Sequence, residues 1–148
     1  MTRPFALLVL LVACSSSEGS ESLDRFHALS EDVLAIDCAC TLLPGDPEEG
    51  CYWREQRQHE LDCFYDAMSP FADAEPELFA CWRRASAGLK DCVEDAECLF
   101  EERDDCSATW NYRHCGEPCS TLVDAERAAC EVRRNEARSE FDRCRWEL

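Results

Sequence analysis

The sequence is poor in glycine, lysine, methionine, histidine and long apolar runs. Five glycines in 148 residues leave few places for the left-handed backbone that tight strand turns need. A turn-rich β fold is therefore not expected. Two methionines supply almost no thioether, the soft ligand that favours copper. The three histidines, His27, His59 and His114, sit among polar neighbours and belong to no H-E-x-x-H pattern. No G-x-S-x-G motif accompanies them, so no catalytic residue and no enzyme are expected. The absence of C-x-x-C and C-x-x-C-H removes thioredoxin-like redox work and covalent haem. No metal and no cofactor are expected.

Basic charge is scarce as well. Fifteen Lys and Arg face 32 Asp and Glu, a formal net charge of −17. Nucleic acid needs a basic footprint and is excluded as a partner. Broad adsorption to anionic lipid is excluded for the same reason. The acidity reads as a solvated, self-repelling surface. All the basic residues except Lys90 are Arg, which pairs well with carboxylates and is expected in helix-surface pairs.

What is abundant is helical periodicity and cysteine. Leu23, Phe26, Leu29, Val33, Ile36 and Cys40 recur at three- and four-residue steps and predict a first helix over Ser22 to Leu42. Pro44-Gly45 stops it. Asp46 then suits an N-cap, Pro47 a first helical position, and the second helix runs to about Met68. A third begins near Pro76, with Leu78, Cys81, Trp82, Ala85, Leu89, Cys92, Val93 and Ala96 on one face, and Gly88 weakens it locally. A shorter fourth is expected at about Glu97 to Trp110 and a last one from about Ser120 onward. The fold class is all-α: a disulfide-stapled bundle of four to five helices built from antiparallel hairpins. Trp53-Arg54, Asp62-Cys63 and Asp66-Ala67 recur 29 residues later as Trp82-Arg83, Asp91-Cys92 and Asp95-Ala96, which suggests a duplicated helix. Trp53, Trp82, Trp110 and Trp146 are expected in the core or against disulfides.

The amino terminus carries the one motif with an address. Phe5 to Val12 is an apolar run of eight after Arg3. At ~1.5 Å per residue it falls far short of a ~30 Å hydrocarbon core, but it fits the apolar region of an export signal. It ends in Leu11-Val12-Ala13-Cys14. This resembles the lipobox of bacterial lipoproteins. The resemblance implies a signal peptide over residues 1–13, cleavage before Cys14, and lipid on that cysteine. It also implies a cell-envelope location, held to a membrane by lipid. The residue after Cys14 is Ser15, not Asp, which by the Gram-negative sorting rule implies the outer membrane. Residues 14–22 read as the lipidated Cys and a flexible Ser-rich tether, and 23–148 as the Cys-rich domain.

Thirteen cysteines less Cys14 leave twelve, an even number that suits full pairing in an oxidising compartment. Cys81 to Cys92 and Cys119 to Cys130 are 11 apart, and Cys130 to Cys144 is 14 apart. Eleven residues of helix span ~16 Å, beyond the ~7 Å Cα limit of a disulfide. Within a straight helix such pairs cannot bond to each other, but each can bond to a neighbouring helix. A twice-stapled hairpin of the second and third helices predicts Cys63–Cys81 near the turn and Cys51–Cys92 at the far end. The architecture is similar to twin C-x9-C helical hairpins. Cys38, Cys40, Cys98, Cys106, Cys115, Cys119, Cys130 and Cys144 are expected to be paired in an order that spacing leaves open.

The function expected is that of a membrane-anchored envelope lipoprotein, a non-enzymatic interaction or structural module with an unidentified protein partner. The alternative is a Cys-rich periplasmic protein that binds or stores copper or zinc. Bacterial copper-storage proteins are Cys-rich helical bundles with repeated i, i+4 cysteines. Only Cys115/Cys119 has that spacing here, and a zinc site of His114, Cys115 and Cys119 lacks a matched second half.

Overall fold

The first helix starts before its apolar stripe does. A computed structural model of the chain describes residues 17–41 and 51–147. In it α1 runs Glu18–Thr41, and Ser17 caps it by accepting the Ser20 N–H at 3.1 Å. The hydroxyls of Ser17 and Ser20 both reach Asp73. The expected tether therefore gives way to helix at Glu18 and does not extend to residue 22. Gly19 is the physical reason. Its Cα lies so near the Ala72 carbonyl that an added Cβ would stand 1.7 Å from that oxygen. Only glycine lets the first turn of α1 dock there.

The remaining helices are α2 (Tyr52–Met68), α3 (Pro76–Asp95), α4 (Phe100–Thr109) and α5 (Asp124–Cys144), with 3-10 turns at Ser69–Phe71 and Tyr112–Cys115. The chain is an all-α, disulfide-stapled bundle, with no strand among the described residues. Asp46 and Pro47, expected to open the second helix, lie outside those residues. Pro76 occupies the first turn of α3, where its missing N–H costs nothing. Left-handed backbone at Glu97 (φ 45°) and Cys98 (φ 73°) separates α3 from α4. The fourth helix accordingly begins at Phe100 rather than Glu97. Left-handed backbone at Cys119 (φ 74°) and Asp124 (φ 43°) likewise delays α5 past Ser120.

Antiparallel hairpins are present. Down the α1/α2 seam, Cys38 meets Cys51, Glu31 meets Gln58, His27 meets Asp62 and Asp24 meets Tyr65. Down the α3/α4 seam, Cys92 meets Cys106 and Gly88 meets Trp110. α5 runs antiparallel to α2, with Phe141 on Phe64 and Cys144 near His59. α1 and α3 are parallel, abutting at Gly19/Ala72 and joined at the other end by Cys40–Cys98. Phe26, Phe64, Trp82 and Tyr112 form the centre, every pair of rings 5.4 to 6.1 Å apart. Those separations are where aromatic pairs add ~0.5–1.5 kcal/mol beyond burial. Phe79 packs edge-on to Trp82 and is fully buried.

All twelve downstream cysteines are bonded, but not in the two expected pairs. The bonds are Cys38–Cys51, Cys40–Cys98, Cys63–Cys144, Cys81–Cys115, Cys92–Cys106 and Cys119–Cys130. Cys63–Cys81 and Cys51–Cys92 are therefore corrected. In place of sulfur, Phe64 and Trp82 face each other across α2 and α3, their rings stacked at 5.6 Å. One residue along a helix turns the side chain by ~100°. Cys63 is thus swung toward α5, and Cys81 toward the Tyr112–Cys115 turn. Cys51 bonds back across the α1/α2 connection and Cys92 across the α3/α4 connection. Cys119–Cys130 joins residues 11 apart because Cys119 precedes the helix, so the span between them is not straight helix.

Candidate functional site

α5 is built unlike the other long helices. Only Cys130 and Ala137 are buried along its 21 residues. Two disulfides hold it: Cys119–Cys130 near its start and Cys63–Cys144 at its end. Between those anchors lie Arg134, Arg138 and Phe141, and Arg145 follows just past Cys144, at steps of four, three and four. That spacing is one helical face, and all four line a cleft with the aromatic centre.

The cleft has two lobes that share Phe64, Tyr112, Arg113 and Phe141. One, of about 440 Å³, is also bordered by Met68, Trp82, Glu117, Arg134 and Arg138. The other, of about 550 Å³, adds Phe26, Arg57, Glu60, Leu89 and Arg145. Two buried donors border the lobes. Trp82 Nε1 lacks a hydrogen-bond partner among the described residues, and so does Arg145 Nε. Arg57 pairs with Glu60 at 3.0 Å and Arg134 with Glu117 at 3.5 Å. Arg145 lies 4.0 Å from Asp142 and stacks over Phe141 and Trp146, at 5.7 and 4.9 Å from the ring centroids. Arg113 and Arg138 make neither an ion pair nor a cation–π contact among the described residues.

Two histidine clusters have ligand-like spacing, and both are already engaged. His59 lies with Cys63 and Cys144, but those sulfurs are bonded to each other and His59 Nε2 is 2.8 Å from the Cys144 carbonyl. His27 lies with Glu31 and Asp62. Its Nε2 is 2.8 Å from Asp62, while Gln58 donates to both carboxylates at 2.7 and 3.0 Å. The His114, Cys115 and Cys119 combination does not form, since Cys115 and Cys119 sit in separate disulfides. Cys14 lies outside the described residues.

The expectation of core tryptophans holds for Trp82 and fails for Trp146, which is 73% exposed. Trp110 lies over Gly88, where a Cβ would stand 2.3 Å from its ring, and remains partly exposed. Gly88 is thus a seat for Trp110. The Trp53 and Trp82 copies of the internal echo do not share an environment: Trp53 is half-buried and Trp82 fully buried.

Helical patterning missed the arginine face of α5, because an Arg at the edge of a cleft reads like any other surface residue. The only available signal was the line Cys130, Ala137, Cys144, which marks the inner face and places Arg134, Arg138 and Arg145 beside it. Patterning also missed Glu75. Its buried carboxylate accepts the Cys119 N–H at 3.0 and 2.9 Å and the Thr121 hydroxyl at 3.2 Å. No family model, curated protein or solved structure matches this chain.

Proposed function

We propose that this chain is a lipid-anchored protein of the bacterial cell envelope, non-enzymatic, whose helical domain serves as an interaction or structural module. One observation supports the reading above others. Six disulfides consume every cysteine after Cys14, so Cys14 is left over for the thioether that the Leu11–Cys14 motif calls for. Six disulfides also suit an oxidising compartment such as the periplasm or cell surface. More than one acyl chain on Cys14 would hold the domain stably. With the N-cap at Ser17, the chain from Cys14 to the helix reaches at most ~11 Å at ~3.6 Å per residue. The folded domain would then sit close to the headgroups, with a partner or ligand approaching from the aqueous side.

Intact mass of the protein extracted from the membrane fraction tests this reading. The expected mass is that of residues 14–148 with a diacylglycerol and an amide-linked acyl chain, less one pair of hydrogens for each disulfide. An unlipidated mass, or cleavage elsewhere, overturns it. Thiol titration separates the module from a thiolate metal store. Near-zero free thiol before reduction supports the module; abundant free thiol with tight Cu(I) or Zn(II) uptake overturns it.

A further inference from the structure

We propose that the cleft between α5 and the aromatic centre is a binding site for a small amphipathic organic anion: an apolar, preferably aromatic, body carrying a carboxylate or sulfonate. The inference goes beyond the envelope-module reading and does not depend on the lipid anchor.

Charge is the first reason. The chain carries more than twice as many acidic as basic residues. Yet the two lobes are lined by Arg57, Arg113, Arg134, Arg138 and Arg145, against only Glu60 and Glu117. Those two carboxylates are engaged by Arg57 and Arg134. Arg113, bordering both lobes, and Arg138 keep their guanidinium groups free of ion pairs among the described residues. Guanidinium presents forked donors that match a carboxylate or sulfonate. On an acidic surface such a concentration attracts anions locally while the rest of the protein repels them.

The floor is the second reason. Phe64, Tyr112 and Phe141 border the cleft, with Trp82 in one lobe and Phe26 in the other. Phe64, Tyr112 and Phe141 are partly exposed and offer apolar ring surface to a ligand, while Phe26 and Trp82 are themselves buried. Volumes of about 440 and 550 Å³ suit a small molecule.

The third reason is how α5 is held. An ordinary bundle helix needs apolar residues on its inner face to stay attached. Here the disulfides at Cys130 and Cys144 supply attachment, and Arg134 and Arg138 between them border the cleft instead.

Calorimetric titration of the oxidised full-length protein with naphthalene-2-sulfonate tests the proposal, with 2-naphthol as the neutral isostere. The sulfonate is expected to bind about ten-fold or more tightly than naphthol at low salt and to weaken as salt rises. The double variant Arg113→Met with Arg138→Met keeps side-chain bulk and removes charge. It should lose about ten-fold for the sulfonate and little for naphthol. Arg113→Lys with Arg138→Lys keeps the charge but loses the forked donors and should fall between the wild type and the Met variant. Arg143→Met, which removes an exposed guanidinium paired with Glu147, should change nothing. Near-ultraviolet circular dichroism of each variant reports that the aromatic centre is intact. Equal affinity for sulfonate and naphthol, an unaffected Met double variant, or no saturable binding with the wild type overturns the proposal.

Discussion

α1 and α3 are held together mainly by what they bury, with the Cys40–Cys98 bond only at their far ends; α5 is held mainly by what it is bonded to. The α1/α3 seam places Leu23, Phe26, Phe79 and Trp82 in the core and brings backbone against backbone at Gly19 and Ala72. α5 buries little beyond Cys130 and Ala137, and a disulfide secures it at each end of the stretch that faces the cleft. Burial constrains sequence at every contact, since a core position must be apolar and of the right volume. A disulfide constrains two positions only. The covalently held helix can therefore carry Arg134 and Arg138 on its cleft side, while the buried face between α1 and α3 is apolar.

Removing a bond from α5 breaks that contrast most strongly. Cys63→Ser with Cys144→Ser releases the end of α5 from α2 and leaves no stray thiol from that pair. A native disulfide contributes about 2–5 kcal/mol, and α5 has little burial to offset the loss. Global stability is expected to fall by that order. Hydrogen exchange should show protection lost across residues 134–144 while residues 78–93 of α3 stay protected. Equal loss in both helices would mean that α5 belongs to the same cooperative unit as the core.

Gly19→Ala attacks the packed side of the comparison. The new methyl meets the Ala72 carbonyl, a backbone atom that cannot swing away. A cost of about 3 kcal/mol is expected, against a gain of about 1 kcal/mol in helix propensity, for a net loss near 2 kcal/mol. Thermal unfolding measures it; an unchanged or raised Tm would show that α1 shifts freely over α3. Glu75 joins the two regimes, since its buried carboxylate receives the backbone of Cys119 just before α5. Glu75→Ala strands that N–H and should cost about 1–2 kcal/mol, while Glu75→Gln keeps an acceptor and should cost less. Equal losses for the two, measured by denaturant unfolding, would mean that only the packing of the side chain matters.

The packed region was the readable one. Leu23, Phe26 and Leu29 on α1, and Leu78, Trp82 and Val93 on α3, repeat at helical spacing because burial imposes that period, and all six are buried. Cysteine parity likewise announced six bonds. The partners were unreadable because a helix turns ~100° per residue, so whether Cys63 or Phe64 faces α3 depends on the neighbouring aromatics rather than on spacing along one strand of sequence. The start of α1 was hidden because Ser17, Gly19, Ser20 and Ser22 have a tether's composition; Ser17 is instead the cap, and the close approach of Gly19 to Ala72 seats the first turn. The cleft was hidden for a related reason. Arginines at a cleft edge read as ordinary surface residues, and only the disulfide positions on α5 show which way is inward.

A final, small effect sharpens what polar contacts contribute beside burial. Tyr65 on α2 donates its hydroxyl hydrogen to Asp24 on α1. That hydrogen bond, helped by partial burial and by the Asp24 charge, raises the Tyr65 pKa above its ordinary 10.0. A raised pKa in the folded state means that folding favours the protonated phenol. The stabilisation is thus fully present below about pH 10, the unfolded value, and is lost as pH climbs through the higher folded value. Tyr65→Phe should cost about 0.5–1 kcal/mol at pH 8, toward the low end because the pair is solvent-exposed. The gap between wild type and variant should close at strongly alkaline pH, where a phenolate would face the Asp24 carboxylate. Denaturant unfolding of both proteins at pH 8 and at rising alkaline pH, with the folded Tyr65 titration followed by phenolate absorbance, measures it. A gap that persists once Tyr65 has ionised in the folded protein would assign its contribution to ring packing, including its edge contact with His27 at 4.9 Å, and would return even this seam to the burial side of the comparison.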